Sequence, residues 1–244
     1  MKDTIVIKIG GVASQHLSQD FINQVKDWKD NGKKVVIVHG GGYAINKLME
    51  DNHVPVKKIN GLRVTSQADM RLVSYALLNM VGHNLTKRLN QSSVDSIQLL
   101  SGLKRVVKAD FLDKNTYGYV GDVSHIQTPI LEQMLDNHML PVLASIGYSE
   151  QGEMLNINAD YLATAVAVAL EAEKLVLMTD VKGVLENGAV LDSLTSTEFQ
   201  EKIAQGIITG GMIPKIESDV NTVLAGVGEV LIGDNLVTGT SIIS

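Results

Sequence analysis

The chain has 244 residues, 45% of them hydrophobic, a formal net charge of −6 and no cysteine. That length suits one large α/β domain or two small ones, with enough apolar residues for a sizeable core. The missing cysteines exclude disulfides, thiolate metal sites and a cysteine nucleophile and fit a reducing, cytoplasmic setting. The acidic balance, with three Phe, one Trp and no basic tail, speaks against a nucleic-acid surface.

"TIVIKI" (4–9) reads as a strand buried on both faces, of the kind found in parallel sheets. It carries Lys8, whose ammonium needs a partner or a route to water. The strand begins so early that no room is expected for a signal peptide. An amphipathic helix is predicted near 18–31, ending at Gly32. The strand "KKVVIVHGGG" follows and runs into three glycines, and then the helix "YAINKLMEDN". Residues 65–91 predict one long helix capped by Thr65 or Ser66. "SIQLLSG" is a third strand, and the alternation in 104–127 predicts a β-hairpin. "TPILEQMLDN" is a helix with Pro129 in its first turn. "LPVLASIG" is a fourth core strand. After "LNINAD" comes the apolar helix 159–171, whose run 162–170 is too short to span a bilayer. "KLVLMTDV" is a fifth core strand, and "TSTEFQEKIAQG" a helix with a capping box from Thr195 to Glu198. "IITGGMIPK" leads into the helix "IESDVNTVLAGVG", and "EVLIG" and "GTSII" close the chain as strands. Strands separated by helices predict a mainly parallel sheet with helices on both faces. No linker is visible, so the reading is one folding unit with two functional lobes divided near residue 150.

Three glycine clusters carry the chemistry: "KIGG" (8–11), "HGGG" (39–42) and "TGG" (209–211). Ligands of parallel α/β sheets bind beyond the carboxyl ends of strands, where glycine lets backbone N–H groups approach phosphate. Gly10, Gly11, Gly42 and Gly211 are therefore candidate phosphate binders. Neither G-x-x-x-x-G-K-[ST] nor G-x-G-x-x-G occurs, which excludes a P-loop and argues against a dinucleotide domain. Lys8 and Lys215 are candidate cations for charge on a moving phosphoryl group, against a lysine snorkelling from a strand end and an ordinary residue of a first helical turn; Arg63 suits a carboxylate or is simply a surface-loop arginine. Asp160 is a candidate to hold the two lysines, against the plainer role of a helix cap. Asn156 and Asn158 offer amides to a substrate or simply turn chemistry. Asp180, ending a strand, is a candidate for the nucleotide or its metal. His39 reads as structural rather than as a base, and no histidine has metal-ligand spacing. Met70, Met80 and Met212 read as packing.

In this order "IVIKIGG", "VIVHGGG", "NGLRVT", "NINAD", "TDVKGVL" and "GIITGGMIPK" resemble the N-acetyl-L-glutamate kinases of the amino-acid kinase superfamily. The resemblance runs from residue 4 to the C-terminus. It implies a three-layer αβα sandwich around a mainly parallel sheet. The amino acid would bind to a first lobe of about 1–150 and ATP to a second of about 151–244. It implies ATP-dependent phosphorylation of the side-chain carboxylate of N-acetylglutamate in arginine biosynthesis. Mg²⁺ would accompany ATP, held by phosphates and water rather than by a protein cage. Lys8 and Lys215 would stabilise the transferring group, and Asp160 would orient them. Gly11 and Gly42 would donate N–H groups, Gly41, Gly42, Arg63 and Asn156 would hold the acylated amino acid, and Asp180 and Lys215 would serve the nucleotide. Members inhibited by arginine carry a helix before the first strand and form hexamers. Only three residues precede "TIVI" here, so a homodimer insensitive to arginine is expected. Met70, Val73, Leu77, Met80 and Val81 on the helix 65–91 form a candidate dimer face, the alternative being a helix packed within its own subunit. The competing readings are a sibling kinase, for N-acetyl-aminoadipate, carbamate or uridylate, and a catalytically silent ligand-binding regulator.

Overall fold

Eight strands form the central sheet: β1 (Thr4–Ile9), β2 (Lys34–His39), β3 (Ser96–Gln98), β4 (Leu140–Ala144), β5 (Lys174–Met178), β6 (Ser193–Thr195), β7 (Glu229–Gly233) and β8 (Thr240–Ile243). Their spatial order is β6-β8-β7-β5-β1-β2-β4-β3. Every pairing is parallel except β7 with β8. The computed structural model describes all residues except Met1, Lys2, Gly11, Val12, Ser14, Asn187 and Gly211.

Strands β2 and β4 are buried at almost every position, on both alternating faces. Only layers of helix on both sides can cover such strands, which makes the sandwich three-layered. The helices are α1 (Gln19–Asp30), α2 (Gly42–Asp51), α3 (69–91), α4 (Thr128–Asp136), α5 (Ala159–Ala169), α6 (Ser196–Ala204) and α7 (Met212–Leu224). Local chemistry sets several of their ends. Ser18 Oγ accepts from the Phe21 N–H at 3.1 Å, and the Thr195–Glu198 capping box forms as predicted. Among the described residues no helix is long and apolar enough to cross a membrane.

Strand β1 lies between β2 and β5. The chain leaves it in one direction for β2 and returns on its other side as β5, so β1 sits at the topological switch point. Ligands of open α/β sheets bind at such a point, beyond the carboxyl ends of the strands.

Three expectations change. The helix at 65–91 begins at Asp69 rather than at Thr65, which instead bridges to Gly118. Ser66 and Asp69 make the reciprocal cap, at 2.9 and 3.1 Å. Residues Ala76–Gly82 of this helix are π-helical. Gln98 Nε2 donates to the Leu78 carbonyl at 2.8 Å, and that carbonyl also accepts from the His83 N–H five residues on. A side chain inserted at such a carbonyl accommodates the wider turn. Met70, Val73, Leu77 and Val81 are 5%, 0%, 0% and 8% exposed, and Met80 packs partly buried against the same core. They belong to the subunit's own interior, so this stripe is not a dimer face.

The predicted strand "LPVLASIG" breaks at Ser145. Its second half, Ile146–Tyr148, leaves the sheet and closes a four-stranded barrel with Val107–Phe111, Val120–Ile126 and Met154–Ile157. The interior of so small a barrel admits little. A Cβ on Gly147 would come within 2.7 Å of Ala109 Cβ, and one on Gly121 within 2.8 Å of Leu155 Cδ1. Finally, α7 starts at Met212, four residues before its predicted start, which takes Lys215 into the helix.

Candidate active site

The cost of Lys8 on an apolar strand is met on the spot. Its Nζ lies 2.9 Å from Asp160 Oδ1 and donates to the Met178 carbonyl at 3.1 Å. Asp160 Oδ1 is shielded from solvent and makes no hydrogen bond among the described residues, so within these the pair is held by charge rather than by aligned donors. The Asp160 side chain as a whole is 48% exposed, so part of it also faces solvent. Asp160 can do this because it is not the helix cap. Asn158 caps α5, accepting from the Asp160 N–H at 2.8 Å. Gly10 is part of the same construction, because a Cβ there would sit 2.8 Å from Lys8 Nζ.

The second glycine cluster turns beside this pair. Gly40 donates to the Ile9 carbonyl at 3.1 Å, tying the end of β2 to the end of β1. A Cβ on Gly41 would lie 2.8 Å from Leu77 Cδ2, whereas Gly42 faces open space. Gly42 begins α2, and no side chain caps that helix. Its first N–H groups and the positive end of its dipole are thus available to an anion.

Arg63 is only 9% exposed and is surrounded by neutral partners. Nη2 donates to Asn46 Oδ1, and Nη1 reaches Met49 Sδ at 3.4 Å. It forms no ion pair among the described residues. Burial lowers the guanidinium's pKa from its ordinary value, but arginine stays charged. Thr65 Oγ donates to the Arg63 carbonyl at 3.1 Å and accepts from Asn156 Nδ2 at 3.2 Å. Arg63 and Asn156, far apart in sequence, are thereby fastened to one another through Thr65.

Residues 3–234 match the family model for the amino acid kinase family. The chain belongs to the amino acid kinase family. It is 69% identical to an acetylglutamate kinase of Streptococcus mutans and 59% identical to one of Streptococcus sanguinis, each over 99% of both chains. A crystal structure from Streptococcus mutans superposes with a TM-score of 0.91 at 68% identity, covering 100% of this chain and 99% of that one.

In this amino acid kinase, Lys8, Asp160, Gly10 and Gly40–Gly42 gather at the carboxyl ends of the central strands β1 and β2. Asp180 is exposed just beyond β5, the strand paired with Lys8. Lys215 is exposed on α7 and makes no ion pair among the described residues. Gly11 and Gly211 lie outside the described residues. No cluster of three or more potential metal ligands forms among the described residues.

His39 is fully buried, and the loss of hydration pushes its pKa down to about 4. Its Nδ1 lies 3.1 Å from the Gly40 carbonyl, and Nε2 has no partner among the described residues. The imidazole is neutral and fixes the backbone that leads into the glycine turn.

Sequence reading did not single out Asp219, Thr65 as a link, or the Met178 carbonyl. Asp219 is 6% exposed on α7, and burial beside Asp160 pushes its carboxyl up to about 7, against an opposing pull from Lys215. A signal existed for it: Asp219 follows Lys215 by four residues, the spacing that puts two side chains on one helix face.

Proposed function

We propose that this chain catalyses ATP-dependent phosphorylation of the side-chain carboxylate of N-acetyl-L-glutamate, giving N-acetyl-L-glutamyl 5-phosphate for arginine biosynthesis. The observation that carries this is 69% identity, over essentially the whole chain, to a protein named acetylglutamate kinase. The geometry agrees with it: a buried Arg63 with neutral partners suits a substrate carboxylate, and Lys8 at a glycine-lined strand end suits a phosphoryl group.

The substrate carboxylate is itself the nucleophile, so no protein base is needed, and catalysis is positioning and charge stabilisation. Lys8 and Lys215 neutralise charge on the transferring group. Asp160 keeps Lys8 in place. Gly10, Gly11, Gly42 and Gly211 offer backbone N–H groups to the phosphates. Gly41, Gly42, Asn156 and Arg63 hold the acylated amino acid, with Arg63 on its α-carboxylate. ATP enters as its Mg²⁺ complex, with Asp180 and Lys215 on the nucleotide side. The amino acid occupies the lobe of about 1–150 and ATP that of about 151–244. The enzyme works in the cytoplasm as a homodimer, which sedimentation checks.

The test traps the acyl phosphate with hydroxylamine and compares N-acetylglutamate, glutamate and N-acetyl-aminoadipate at equal concentration. The expected result is hydroxamate formed preferentially from N-acetylglutamate and only with Mg²⁺. No hydroxamate from N-acetylglutamate overturns the reading. Preference for N-acetyl-aminoadipate moves the substrate by one methylene, a difference worth about 1–3 kcal/mol.

A further inference from the structure

Asp219 takes no part in the roles described so far, yet a nearly buried carboxylate is costly to keep. It sits one helical turn after Lys215, on the same face of α7. Helices α5 and α7 border a groove lined by Thr164, Val168, Pro214, Glu217, Ser218 and Asn221. Asp160, one turn before Thr164, and Asp219 are electrostatic neighbours. Asp219 thus has two charged neighbours on two helices, Asp160 on α5 and Lys215 on its own α7. Asp160 is already committed to Lys8, whereas the Asp219 side chain forms no ion pair among the described residues.

We propose that Asp219 is a positioning residue for phosphoryl transfer: with Asp160 it forms a two-carboxylate seat that draws the Lys215 ammonium toward the carboxyl ends of the strands. This rests on Lys215 being a phosphate-handling lysine. Once the ammonium is seated, its charge offsets the repulsion between the two carboxylates. When Asp219 is protonated, that attraction is weakened and Lys215 is left at the exposed position it occupies here.

The other charged groups on the surrounding elements have partners of their own or lie outward. Lys8 is behind Asp160. On α6, Lys202 pairs with Glu186, and Glu198 closes the capping box. Glu201, also on α6, and Glu217 on α7 are exposed. On β7, Glu229 is held by Lys174 and Ser241, and β8 has no titratable side chain. Asp219 is therefore the group in this cluster expected to titrate near neutrality.

The test is the pH profile of kcat and KM for wild type, Asp219→Asn, Lys215→Ala and the double variant. Wild-type kcat should rise with pH through about 7. At pH 8 Asp219→Asn should lose roughly 10-fold or more in kcat, within the range of a small misplacement of a reacting group. KM for N-acetylglutamate should be unchanged. Below pH 6 the two profiles should converge, because the wild-type carboxyl is then protonated. In the Lys215→Ala background, Asp219→Asn should have no further effect. Removing a buried charge should raise the melting temperature of Asp219→Asn at pH 8, separating lost function from lost folding. A wild-type profile in Asp219→Asn, or an equal loss with Lys215 absent, overturns the proposal. Wild-type activity together with its loss in Lys215→Ala checks the underlying phosphotransfer reading separately.

Discussion

Lys8 and Arg63 are both withdrawn from water, but the protein treats them differently. Lys8 has a carboxylate at 2.9 Å and a carbonyl at 3.1 Å from its own chain. Arg63 is less exposed and, among the described residues, has only an amide oxygen and a thioether. A cation paired internally is held still, and it meets a phosphate without losing its place. A cation left with neutral partners keeps its unscreened charge for whatever enters. The first arrangement suits a group that must be positioned on reacting atoms, and the second a group that must recognise an anion. Between them, at the end of β2, His39 is a third basic side chain, and it is kept uncharged.

The largest expected effect lies on the positioned cation. Lys8→Ala should lower kcat by roughly 10²–10³-fold, the scale of losing one preorganised charge-stabilising group, with little change in melting temperature. Near-normal kcat in the hydroxamate assay would make Lys8 a structural residue like any other.

The neutral His39 has a defined pH signature. Its folded pKa of about 4 lies below the ordinary 6.5. Between those values the unfolded chain binds more protons, so stability is full above pH 6.5 and falls as pH drops toward 4. The loss amounts to about 3 kcal/mol at the lower end. Asp219 contributes with the opposite sign: its raised pKa favours the folded state at low pH, and that contribution is lost as pH rises through about 7. Urea unfolding of wild type and His39→Gln at stepped pH isolates the histidine. Parallel curves for the two proteins would mean that His39 is not buried neutral.

For the unpaired cation, Arg63→Met should raise KM for N-acetylglutamate by roughly 10–100-fold, as for losing a charged hydrogen bond worth about 1.5–3 kcal/mol. The substrate-free protein should melt no lower, since replacing a buried charge with an apolar side chain is often neutral or stabilising. A marked drop in melting temperature with KM unchanged would make Arg63 a structural residue and remove the contrast with Lys8.

The smallest effect concerns how Asp160 is kept available. Asn158→Ala removes the α5 cap and should cost about 1 kcal/mol. With the cap gone, Asp160 can turn to the helix N-terminus, so kcat should fall more than that stability loss explains. Unfolding and turnover measured on the same preparation decide this.

Much of the sheet was legible because buried parallel strands are continuous apolar runs, which "TIVIKI", "KVVIVH" and "KLVLM" all are. The glycine clusters and Lys8 stood out because they interrupt those runs at their carboxyl ends. The barrel was not legible, since nothing local in "LPVLASIG" says that the strand will change partners after Ser145. The long helix was read correctly as amphipathic, but whether its apolar stripe meets a second subunit or its own core depends on what packs against it. Here the answer is its own core.

By itself the sequence determined the order of strands and helices, the glycine turns and the types of charged residue available. These follow from periodicity and backbone freedom, which are local properties. Only the tertiary structure decided that Asn158 would take the cap and release Asp160 to Lys8, and that Arg63 would be buried without a carboxylate. It alone decided that Asp219 would come within electrostatic reach of Asp160. Each of these depends on desolvation and Coulomb interaction between residues far apart in the chain, and those energies exist only once the sheet has brought the residues together.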